Sequence, residues 1–107
     1  MKKIACHTLY LPSGIRLSGV VMELDADGYL SGWHPLVAEE PFVEWRSGVC
    51  VVLPFGDCPE RHMPGLGAYL DRLPPMKLGE AYVVWYADGM AADEEKNFTG
   101  AFFEKWG

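Results

Sequence analysis

Hydrophobic and polar residues alternate from Lys3 to Tyr10, with Ile4, Cys6, Thr8 and Tyr10 on one side and Ala5, His7 and Leu9 on the other. That is the period of one strand. Leu11-Pro12-Ser13-Gly14 ends it, and a short segment at 15–17 leads to a second strand in which Val20, Met22 and Leu24 oppose Val21, Glu23 and Asp25. Asp25-Ala26-Asp27-Gly28 has hairpin composition, since the aspartates can bond nearby amides and Gly28 can take a positive φ. A third strand over 29–34 should therefore pair antiparallel with the second. Residues 35–42 read as a Pro-bounded loop, and 42–45 alternate as a short edge strand would. Gly48 opens the apolar run Val49-Cys50-Val51-Val52-Leu53, stopped by Pro54, which suits a strand covered on both faces.

The rhythm changes over 55–75, where prolines and glycines punctuate the chain. Between them Leu66, Tyr69, Leu70 and Leu73 recur at spacings of three and four, predicting a helix of about two to three turns. The run Ala81 to Ala87 is rich in β-branched and aromatic residues and is closed by Asp88-Gly89, the clearest strand signal in the chain. Phe98, Phe102 and Trp106 fit either a helix or a strand, and Thr99 with Gly100 tips the reading to strand.

These elements predict a mainly β chain of 107 residues: one domain over 1–107, a small β-sandwich or partly closed barrel of about six to eight strands, with a helix-bearing connector at about 56–76. Half of the residues are hydrophobic, which argues against disorder. Lys and Arg total 9 against 15 Asp and Glu, a net charge of −6, so a phosphate backbone is a poor partner. No apolar run approaches the ~20 residues that span a bilayer, and the expected location is cytoplasmic, away from membranes. Cys6, Cys50 and Cys58 form an odd set without a CxxC pair, expected as reduced, mostly buried thiols.

Ile4-Ala5, Tyr10, Gly19-Val20-Val21, Asp25-Ala26-Asp27-Gly28-Tyr29-Leu30 and Gly48 to Pro54 together resemble the N-terminal β-sandwich segment of amidohydrolase-type metallo-dependent hydrolases. Leu78-Gly79-Glu80-Ala81 and the strand after it resemble the segment that closes the sandwich on return from the catalytic barrel. The resemblance implies a composite sandwich in which the connector stands where the barrel would be. The family's metal-binding His-x-His is missing, because Pro54 is followed by Phe55-Gly56-Asp57-Cys58-Pro59-Glu60-Arg61-His62.

The chemistry-bearing residues follow from that departure. Asp57, Cys58 and His62 are the weak candidates for a metal, and Cys58 with His62 is the local pair that could activate a thiolate; neither set has a nameable further member. Cys6 and His7 should point to opposite faces of their strand. The carboxylate groups at Glu39-Glu40, Asp25/Asp27 and Asp93-Glu94-Glu95 read as solvated or turn-forming, and Gly65-Leu66-Gly67 does not make a phosphate loop. Four tryptophans exceed what one small core readily buries. Trp33, Trp45, Trp85 and Trp106, with Tyr86, are accordingly the candidate ligand- or partner-binding residues, Tyr29 and Tyr82 standing beside them.

The expectation is a domain without intrinsic catalysis or cofactor, serving as a binding or assembly module and pairing with a second copy or another protein. Three alternatives accompany it: a small-molecule or carbohydrate binder that uses exposed rings, a cryptic metal-dependent hydrolase, and a subunit of a separately encoded barrel.

Overall fold

The computed structural model describes residues 2–36, 42–46, 48–62, 65–77, 79–88 and 102–106. The strands are β1 (Lys2–Ala5), β2 (Thr8–Tyr10), β3 (Arg16–Ser18), β4 (Val20–Leu24), β5 (Leu30–Pro35), β6 (Val43–Trp45), β7 (Val49–Pro54), β8 (Tyr82–Asp88) and β9 (Phe102–Trp106). The helix is α1 (Leu66–Arg72). They form two sheets, one ordered β5-β4-β1-β6 and the other β3-β2-β7-β8-β9. The fold is mainly β and sandwich-like rather than a closed barrel. No helix among the described residues is long and apolar enough to cross a membrane.

The first predicted strand is the main correction. Lys3 to Tyr10 is two strands in different sheets: β1 pairs with β4 and β6, β2 with β3 and β7. The bend falls at Cys6-His7, where the Cys6 thiol donates to the Thr8 carbonyl at 3.2 Å. The bend shifts the phase of burial, so that Ile4, Cys6, Leu9 and Leu11 face the space between the sheets while Tyr10 faces away from it. A second segment crosses beside the first. β6 runs parallel to β1 and β7 parallel to β2, and Arg46 N–H to Ala5 C=O (3.0 Å) and Thr8 N–H to Gly48 C=O (3.2 Å) stitch the two crossings together. Strands that change sheets make the corners of a sandwich. This split, together with β3, raises the count to nine strands among the described residues.

Two cores result. Between the sheets lie Ile4, Leu9, Met22, Leu24, Cys50, Val52, Val84 and Trp106. On the other side of the five-stranded sheet, Tyr10, Val49, Val51 and Leu53 are covered by Leu66 and Leu70 of α1. The 49–53 run is thus fully buried because the second sheet covers one of its faces and α1 the other. The helix is seven residues long, within the predicted region. It rests on the turn at Pro12–Gly14, where Gly14 (φ +76°) has no room for a Cβ beside the Asp71 carboxylate.

The hairpin forms as predicted. Asp25 Oδ1 accepts from the N–H groups of Asp27 (2.9 Å) and Tyr29 (3.0 Å), and Gly28 takes φ +87°. β6 lies at a sheet edge, and the tail strand is β9. Phe98 and the carboxylates at 39–40 and 93–95 lie outside the described residues.

Candidate functional site

The predicted aromatic residues are distributed over the fold instead of gathered. Trp106 is 2% exposed, and its Nε1 donates to Glu44 Oε1 at 2.9 Å. Tyr86 meets it edge-on at 5.8 Å, and Arg46 lies over both rings, 5.1 Å from Tyr86 and 4.8 Å from Trp106. Glu44 also pairs with Lys2 at 3.2 Å. Burial opposes its charge, but the bonds from Trp106 and Lys2 and the charges of Lys2 and Arg46 hold its carboxyl below the usual value. This assembly seals the β6 side of the sandwich. Trp85 is half-buried on the helix-bearing side of the five-stranded sheet, its Nε1 buried without a partner among the described residues. Trp45 is exposed on β6 against the His7 ring.

Trp33 has a different setting. It stands directly opposite Met22 in the β4–β5 ladder, so it points to the inner side of its sheet, yet it lies on the edge strand and is 40% exposed. The ladder beneath it is irregular: Glu23 faces Gly32 and Leu24 faces Leu30, leaving Ser31 as an extra residue. Such a bulge bends an edge strand and re-aims its side chains. Here the bent strand borders a cleft of about 280 Å³ whose opposite wall is Met76, Lys77, Gly79, Glu80 and Tyr82.

Tyr82 ties the backbone and the carboxylate of that wall together. The Tyr82 hydroxyl accepts from Lys77 N–H at 2.9 Å and donates to Glu80 Oε2 at 3.1 Å. Glu80 N–H closes the turn onto the Lys77 carbonyl at 3.4 Å. Glu80 Oε1 has no partner among the described residues. Neither Gly32 nor Gly79 has a heavy atom within 4 Å of where a Cβ would lie, so both lining glycines border open space.

The candidate metal and nucleophile residues form a second cluster. Asp57 Oδ1 accepts from Cys58 N–H at 2.8 Å and meets His62 Nε2 at 2.7 Å, while Oδ2 accepts from the Tyr69 hydroxyl. The His62 ring stacks on Tyr69 at 3.4 Å with 7° between the planes. Burial works against the Asp57 charge, but the bonds from Tyr69, His62 and Cys58 N–H outweigh it and hold the carboxyl below its ordinary value. Burial and the facing carboxylate push the Tyr69 phenol up to about 12.

The structure thus joins Asp57 to His62, but Cys58 contributes its amide rather than its thiol. Among the described residues no group of three His, Cys, Asp or Glu side chains could hold a metal ion. The donor set does not fit the zinc centre that the amidohydrolase-type resemblance implies, because both Asp57 oxygens are already bonded within the cluster. The cluster ties the connector to α1. Cys6 and Cys50 are buried, free thiols, and burial followed by the bond to Cys6 pushes Cys50 up, keeping it neutral.

A larger hollow of about 570 Å³ lies at the hairpin end beside Lys2, Leu24, residues 25–28 and Phe42. One of its carboxylates, Asp25, is occupied by the turn, and its aromatic wall is Phe42, 96% exposed. It lacks the bonded polar wall of the Trp33 cleft.

Sequence reasoning named Trp33 but missed Glu80, and it read Tyr82 only as one of several aromatics. Tyr69 was legible only as a core position of the helix. No family model, curated protein or solved structure matches the chain.

Proposed function

We propose that this chain is a non-catalytic binding module that holds a small ligand in the cleft beneath Trp33. The observation that carries the reading is the bulge at Ser31, which sets an exposed indole against a carboxylate anchored by Tyr82 and still able to accept. The one carboxylate–imidazole pair in the connector is, by contrast, spent on holding α1. Amide chemical-shift mapping with a small-molecule library tests the proposal. Perturbations at Gly32, the Trp33 indole and Gly79 support it, and perturbations confined to the hairpin hollow or the connector overturn it.

A second reading, assembly with another copy of this chain, is favoured by Trp45 at 47%, Phe55 at 59% and Phe42 at 96% exposure. Sedimentation equilibrium of the wild type and of Phe42→Ser, Trp45→Ser and Phe55→Ser tests it, and a monomer at all concentrations overturns it. Three free thiols support a cytoplasmic setting. Descent from the amidohydrolase-type sandwich is supported by the shared interior of the first 54 residues and β8, with the connector as a bridge between them. A chain of related sequence that retains both flanks and an intervening barrel would establish that descent.

A further inference from the structure

We infer that the ligand class of the Trp33 cleft is a neutral, polyhydroxylated six-membered ring, a pyranoside. The inference rests on the binding reading above. Three features of the lining select the class. The Tyr82 hydroxyl spends its only proton on Glu80 and accepts from Lys77 N–H, so that corner of the cleft presents acceptors to a ligand. Ser31 and Lys77 line the same cleft and bring donors, and Lys77 with Glu80 makes the lining neutral in sum. A set of hydroxyls, each both donor and acceptor, matches a mixed wall of this kind. A cation would meet Lys77, and an anion would meet Glu80.

The apolar side completes the match. Leu30, Trp33 and Met76 offer a surface for the C–H face of a ring, with Trp33 the large, half-open member. No second exposed ring lies alongside Trp33 among the described residues, and the volume is just below the ~300–1,000 Å³ of drug-sized sites. The site is therefore built for one ring rather than for a chain of them.

The test is a titration followed by amide and indole chemical shifts, using methyl glucoside, methyl galactoside and N-acetylglucosamine, with tetramethylammonium and cyclohexanol as controls. The expected result is saturable movement of the Gly32 and Gly79 amides and the Trp33 indole with at least one pyranoside. Trp33→Ala should weaken that binding by about tenfold or more. Glu80→Gln, which keeps an acceptor for Tyr82, should weaken it severalfold. Movement with tetramethylammonium or cyclohexanol but with no pyranoside overturns the ligand class and leaves the cleft reading standing. No movement with any probe overturns both.

Discussion

Two regions of this molecule use the same pair of groups, a tyrosine hydroxyl bonded to a carboxylate, to opposite ends. At the connector, Asp57 receives Tyr69, His62 and the Cys58 amide, and its charge is fully engaged. At the cleft, Glu80 receives Tyr82 on one oxygen, and the other has no partner among the described residues and lies beside a cavity. A satisfied, partly buried carboxylate locks neighbouring elements together. An exposed one with an acceptor to spare at an opening is available to a ligand. The chemical type of the pair is the same in both places, and the number of remaining lone pairs distinguishes them.

The comparison is broken most severely by Asp57→Ala. With Tyr69 and His62 left unpartnered, stability should fall by about 2–3 kcal/mol in urea denaturation. Cleft shifts with a bound ligand should be unchanged, and a loss of ligand binding equal to the loss of stability would mean that the two regions are not separate.

The pH dependence of stability sharpens the contrast next. A carboxyl held below its ordinary value stabilises the fold above its unfolded pKa of about 4, and that contribution is lost as the pH falls through the folded value. A phenol raised to about 12 contributes below its unfolded value near 10, and its contribution is lost as the pH rises through about 12. Urea midpoints should therefore decline at both extremes. Asp57→Asn should flatten the acid limb and Tyr69→Phe the alkaline limb.

Tyr82→Phe should cost less, about 1–2 kcal/mol, because it strands the Lys77 amide and frees Glu80 without disturbing a packed helix. Thermal unfolding measures this, and a loss as large as that of Asp57→Ala would erase the distinction drawn here. The smallest effect on stability is expected for Gly32→Val, within about 0.5 kcal/mol, since the strand accepts a β-branched residue and the space is open. The same thermal measurement checks it, and a large loss would show that the open space beside Gly32 is needed by the fold.

Much of the architecture was legible in the chain. The buried run at 49–53, the aromatic strand at 82–88, the Asp25–Gly28 hairpin and the helix containing Leu66 and Leu70 all rest on local periodicity and turn chemistry, which a linear pattern records. The crossing at Cys6-His7 does not, since alternation continues through the bend while the environment on each side changes. The site escaped for a related reason. Glu80 and Trp33 are 47 positions apart in the sequence, and only the extra residue at Ser31 turns that stretch of β5 toward the far wall. Tyr69 kept its apolar spacing on the helix while its hydroxyl reached Asp57, twelve residues earlier, and spacing is blind to the second role.

The doubled corner also bears on how fast the molecule can assemble. The β4–β5 hairpin can form from neighbouring residues within microseconds. Neither sheet can be completed, however, until residues 2–10 and 43–51 meet side by side, a closure of about forty residues in two simultaneous parallel ladders. The search for that single long-range encounter should set the folding rate, placing this small chain among millisecond-to-second folders despite its size.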